Sequence, residues 1–201
     1  MIFAAILLKM NLMICFVFDE KKATDAAAYL LSLNGNKLPY MKLMKLLYIA
    51  DRISLSEYHY SITTDSYYSM KFGPVVSGIY DCIRHWDELP SSSPWQNTIS
   101  INKSKYEAVL LNSNSTFAML SDEEKDILKQ ANDSNDKESQ FEISEFTHTF
   151  PEWKDPGNSR IPLPIEDIIN ATVRDENEKK EALSDLDLSA NLQRMNYRNR
   201  N

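Results

Sequence analysis

The chain is 201 residues long, 43% hydrophobic and 25% charged, a balance that fits one globular domain with a sizeable core and excludes disorder throughout. Its formal charge is −7, and no cluster of Lys and Arg appears before the extreme C-terminus; this argues against a surface for gripping nucleic acid and makes a basic partner surface electrostatically easier. The two cysteines, Cys15 and Cys82, make no disulfide framework and fit free thiols in a reducing cytoplasm.

Residues 1–18 are almost entirely apolar, interrupted by Lys9 and Asn11. They lack the basic flank and small-residue cleavage site of a signal peptide. Three readings stand: a buried strand or ordered arm, residues added by an upstream start codon, or a membrane segment, which the flanks favour least. No stable membrane insertion is expected. Met10 and Met13 are alternative starts, Met13 the better one.

Residues 19–33 predict a helix, with Ala23, Ala26, Ala27, Leu30 and Leu31 at helical spacing and Gly35 as its stop. Pro39 suits the first turn of a second helix. Leu43, Leu46, Leu47, Ala50 and Ile53 form its buried face, with Lys42, Lys45 and Arg52 expected on the remainder. From 57 to 72, Tyr58, Tyr60, Tyr67 and Tyr68 mix with Ser and Thr, which favours loop and short strand. Gly73 and Pro74 punctuate the chain, Pro74 being expected to start a helix over 75–85.

A Ser- and Pro-rich loop follows over 89–94, then two strands of a hairpin at 98–102 and 106–111. Ser121 and Glu124 form a capping-box pattern opening a helix with Ile127, Leu128 and Ala131 inside. A short helix over 140–150 carries Phe141, Ile143 and Phe146, and Pro164 opens a last core helix with Ile165, Ile168, Ile169 and Val173. Beyond Asp175 the chain reads as a polar tail or a loosely held helix, in which Leu183, Leu186, Leu188 and Leu192 are loosely amphipathic. Nineteen of the 29 acidic residues fall between Asp122 and Asp187. The expected fold is mainly α with α+β character: one compact helical domain over 19–175 with a small β-hairpin element, an apolar extension at 1–18 and a polar tail at 176–201.

The chemistry-bearing patterns are sparse. Four glycines, Gly35, Gly73, Gly78 and Gly157, yield no phosphate-binding fingerprint. Cys82 and His85 supply at most half a metal site, and His59 and His148 stand alone. No nucleophile elbow is present. Thr147 and His148 are the most enzyme-like pair, with Asp65 the third suspect; the plainer reading has the imidazole bonding a backbone group and fixing the turn into Pro151 and Trp153. No catalytic residue, metal or cofactor is assigned. Tyr58, Tyr60, Tyr67, Tyr68 and Phe72 crowd one short segment, and Tyr covers much contact area at small entropic cost. With Asp65, Lys71, Val75 and Ser77 they make the candidate partner surface.

The stretch KLMKLLYIADR at 42–52, with Lys42, Leu46, Tyr48, Asp51 and Arg52, resembles the opening signature of the Panacea (SocA-like) domain family. The resemblance continues through Ile62, Thr63, Asp65, Ser66, Tyr67, Met70, Lys71, Gly73, Pro74 and Val75, then Ser77, Tyr80, Asp81 and Ile83. Downstream, Thr147, His148, Pro151, Glu152, Trp153 and Lys154 resemble its second block, and 164–169 its closing helix. The resemblance implies a non-enzymatic antitoxin of bacterial or phage origin that neutralises a cognate protein toxin by direct contact, the toxin gene lying adjacent. It names no toxin, because such domains accompany many: alarmone-synthetase-like translation inhibitors and small membrane-active proteins among them. A proteolytic adaptor with a protease as second partner, a phage-encoded inhibitor of a host protein, and an enzyme using Thr147 and His148 are the alternatives. Homo-oligomerisation is left open, and no helix-turn-helix is evident.

Overall fold

A computed structural model describes residues 13–200; the apolar run expected at 1–18 lies outside the described residues up to position 12. Helix α1 (Glu20–Leu33) starts at Asp19, whose carboxylate accepts from the Lys22 N–H at 3.1 Å. Such a cap is worth about 1 kcal/mol. Its apolar positions are buried as the spacing predicts, and it stops at Asn34 and Gly35, the latter with φ +65°. Strand β1 (Lys37–Pro39) leads directly into α2 (Tyr40–Tyr58), so Pro39 sits at the N-cap.

Helix α2 is the centre of the molecule and is buried on nearly all sides. The sequence pattern placed Lys42 and Lys45 on a solvated face; both are in fact buried. Their stems lie along apolar neighbours, and each amine finds backbone carbonyls: Lys42 Nζ donates to Asp136 O and Glu138 O, Lys45 Nζ to Pro74 O at 2.7 Å.

Strands β2 (Tyr67–Met70) and β3 (Gly73–Val76) form a tight hairpin through Lys71 and Phe72. The expected helix over 75–85 is therefore shorter: α3 spans Ser77–Arg84. Pro74 belongs to β3, an edge strand where its missing N–H costs no ladder bond. After a 3₁₀ turn at Trp86–Glu88, a short α4 (Pro94–Thr98), capped by Ser93, replaces the end of the expected loop. Strands β4 (Ile99–Asn102) and β5 (Glu107–Leu110) make the expected hairpin, which β1 extends to three strands in the order β1-β5-β4.

Helix α5 (Asp122–Asp133) has the capping box of Ser121 and Glu124, and α6 (Gln140–His148) has a second one from Ser139 and Glu142. Phe141 and Phe146 of α6 remain exposed. Strand β6 (Ile161–Leu163) pairs with β2, completing a sheet of order β3-β2-β6. Helix α7 (Ile165–Thr172) follows Pro164, and α8 (Glu176–Arg200) packs against it. The fold is thus mainly helical, with eight helices and two small antiparallel sheets among the described residues.

Within the expected tail, Glu176–Arg200 is a continuous helix with Ala182, Leu186 and Ala190 fully buried. Burying a side chain like Leu186 stabilises by about 2 kcal/mol. A second clamp ties α8 to the start of the described chain. The Gln193 amide accepts from Val17 N at 2.7 Å and donates to Val17 O at 3.0 Å, and Arg194 donates to Cys15 O. No helix among the described residues is long and apolar enough to cross a membrane.

Candidate functional site

Three buried charged groups pin the segment after α2 to the rest of the fold. Asp51, fully buried on α2, accepts from Ile62 N at 2.8 Å, Thr63 N at 3.0 Å and the Thr63 hydroxyl. Burial raises its carboxyl pKa, and the hydrogen bonds oppose that rise. Asp65 accepts from Ser66 N, from Gly78 N at 2.7 Å and from Ile79 N at 3.0 Å. It thereby caps the first turn of α3 from a distant position in sequence, where Val76 offers no side chain to do so. Burial pushes the Asp65 carboxyl up to about 7, against the pull of those N–H groups.

Lys45 is the third. Its amine, bonded to Pro74 O, is lowered to about 7 by burial. The folded chain therefore holds this proton less tightly than the unfolded chain, whose lysine titrates at the ordinary value of 10.5. Between those two values the unfolded state binds more protons, so stability rises with pH, by roughly 1 kcal/mol per unit. It is lost as pH falls toward the folded value. Urea titrations between pH 7 and 9 are expected to show this slope for the parent chain and to show it removed in Lys45→Met; above pH 9.0 the buried Cys82 thiol, pushed up to about 12, keeps its proton in the folded chain and offsets the slope.

The stretch from Thr147 to Trp153 closes over the other side of α2. Glu152 is buried and accepts from Tyr48 OH at 2.9 Å and Arg52 Nε at 2.6 Å. The Arg52 guanidinium also lies 4.2 Å over the Phe150 ring. Trp153 Nε1 donates to Met70 O at 3.1 Å, locking this stretch to β2. Thr147 is fully buried and donates to Ser144 O at 2.8 Å. His148 holds the turn by stacking on Trp153 at 4.2 Å; the expected backbone hydrogen bond is not made, and its Nε2 is buried with no partner among the described residues. Asp65 makes its hydrogen bonds at α3, and none joins it to Thr147 or His148. Cys82 faces inward, its thiol pushed up to about 12 by burial, while His85 is exposed.

Between α2, the β2–β3 hairpin, α3 and the loop carrying Gly157, Asn158 and Ser159 lies a cleft of about 360 Å³. Tyr40, Met41, Met44, Met70, Phe72, Val75 and Tyr80 supply its apolar surface, with Lys45 and Lys71 beside them. Phe72, at the hairpin tip, is 55% exposed. A second cleft of about 420 Å³ shares Tyr40, Met44 and Tyr80 and continues over Ile83, Arg84, Ile101, Lys103 and Tyr106. Neither is lined by any acidic residue. Methionine side chains adapt their shape to what they meet, and exposed aromatics anchor interfaces.

Of the sequence-derived partner surface, Lys71, Phe72 and Val75 meet in this cleft, joined there by Tyr80. Tyr58 and Tyr60 pack with their rings tilted at 51° to each other at the far end of α2. Tyr67 is buried edge-on to Tyr48, and Asp65 is buried under α3. Tyr68 is half-buried beneath the Arg160 guanidinium, and Ser77 donates its N–H to Ser66 O at the start of α3. Sequence reasoning missed Tyr40, Met41, Met44 and Met70. The available signal was three methionines within reach of one aromatic segment.

Of the motif residues on α2, Lys42 reaches Asp136 O and Glu138 O, Asp51 the Ile62 and Thr63 amides, and Tyr48 and Arg52 the Glu152 carboxylate, while Lys45 bonds Pro74 O and Gly73 lies close to Thr147 and His148. No curated protein and no solved structure matches the chain. A family model described as antitoxin SocA-like, Panacea domain, matches residues 43–154, more than half of the chain, and spans α2 through the Glu152 and Trp153 closure. The chain belongs to the SocA-like antitoxin family, through its Panacea domain.

Proposed function

We propose that this chain neutralises a cognate protein toxin, encoded by the adjacent gene, by binding it directly in the Met- and Tyr-lined cleft at the β2–β3 hairpin. The observation that carries the reading is the cleft with its continuation over α3: apolar and aromatic, with the exposed Lys71 in the first part and Arg84 in the second, and no acidic residue in either lining; Lys45 is spoken for by Pro74 O and Lys103 by Asp87. The chain as a whole is acidic, and whole-chain charge pointed to a basic partner. The local charge of the cleft points the other way, to a toxin segment that is apolar and carries carboxylates.

The test is co-expression with the neighbouring gene, followed by affinity co-purification. The neighbour is expected to stop growth alone, to be harmless with this protein, and to co-purify with it. Phe72→Ala and Lys71→Glu are expected to weaken the complex, Phe72→Ala by about 30-fold or more if it anchors the interface. Neither should alter stability, because both side chains are exposed. Tyr58→Ala, away from the cleft, should leave binding within a few-fold of the parent. A neighbour that is harmless alone, or that binds the Phe72 variant undiminished, overturns the assignment.

A further inference from the structure

Helix α8 carries two apolar stripes on opposite sides, and the described residues cover only one. Ala182, Leu186 and Ala190 face inward and are fully buried. Leu188, Leu192 and Met195, spaced i, i+4, i+7, lie on the outward side and are 59%, 51% and 60% exposed. At 100° per residue the two stripes are about half a turn apart. A solvated face of a two-sided helix needs no such stripe, and this one has no partner among the described residues.

The charge order along α8 indicates what covers it. Residues 176–187 carry five acidic and two basic side chains; residues 188–200 carry Arg194, Arg198 and Arg200 and no acidic one. The first half is net negative and the second net positive. A second α8 laid antiparallel sets each negative half against a positive half. A parallel copy sets like against like. We propose that the chain self-associates as a twofold dimer through antiparallel α8 helices, Leu188 of one copy packing beside Leu192 of the other. In that register the exposed Glu181 of one copy, on the line of the same stripe, lies beside the exposed Arg198 of the second. The seam is narrow, well under the area of a standard stable interface, so the dimer is concentration-dependent. This inference is independent of the toxin-binding reading, since α8 lies outside the cleft and outside the matched domain.

The experiment is sedimentation equilibrium of the full chain over a concentration series. The weight-average mass is expected to rise from 23.2 kDa toward twice that value. The Leu188→Glu/Leu192→Glu double variant is expected to stay monomeric, with an unchanged circular-dichroism melt because both positions are exposed. Met195→Glu serves as an independent variant on the same seam. Glu181→Lys turns an attraction into a repulsion at both symmetry-related positions and should weaken association by about tenfold. In a parallel pair it would change little, which would overturn the antiparallel arrangement. A parent chain that remains at the monomer mass at every concentration, or glutamate variants that associate as the parent does, overturns the dimer.

Discussion

Gly73→Ala is expected to destabilise the chain by roughly 3–5 kcal/mol. Gly73 opens β3 with φ +92°, a conformation side chains rarely adopt. A Cβ there would fall on Thr147 Oγ1, 2.9 Å from Lys45 Nζ and 3.5 Å from the His148 ring. None of these can retreat cheaply. Thr147 is buried and bonded to Ser144 O, Lys45 is bonded to Pro74 O, and His148 is stacked on Trp153. The loss would be read as a lower urea midpoint at unchanged slope. Pairing Gly73→Ala with Thr147→Ala relieves the nearest contact, so the double variant should lose less than the two single losses together. Strict additivity would show that the Thr147 contact is not the source of the cost.

Asp51→Ala is expected to cost about 4 kcal/mol, because it strands two buried backbone N–H groups and the Thr63 hydroxyl at once. Asp51→Asn separates hydrogen bonding from charge. Its amide oxygen still accepts from Ile62 N and Thr63 N, and the Thr63 hydroxyl can turn to accept from the new NH₂ group. The asparagine variant should therefore lose about 1 kcal/mol or less, aided by relief of the buried charge. Hydrogen exchange offers a local check: amides of Ile62 and Thr63 should lose protection in the alanine variant and keep it in the asparagine one. Equal losses for both variants would mean that the negative charge itself is what the site needs.

The framework of the fold was legible from local patterns. The apolar spacing of α1 and α2, the Ser121 and Glu124 capping box, and the hairpin of β4 and β5 are each encoded within a few residues, and each forms where expected. The resemblance of 42–52 and of 147–154 to one family likewise needed only residue order, and the matched range confirms it.

What sequence left undetermined depends on neighbours far along the chain. Helix α3 starts at Ser77 because the Asp65 carboxylate caps it from the preceding segment, and Pro74 is a strand residue because β2 lies beside it. Lys42 and Lys45 read as solvated by periodicity, yet elements remote in sequence surround α2 and supply carbonyls to their amines. The tyrosines of one segment divide between interior and surface according to what packs over them, so Tyr67 is spent on the core and Tyr40 and Tyr80 line the cleft. Composition and periodicity are sums over local sequence, so they set the helices, the hairpin and the acidic charge. Where a buried charge finds its partner, and which apolar side chains stay uncovered, follows from contacts between segments distant in sequence, and only the tertiary structure decided them.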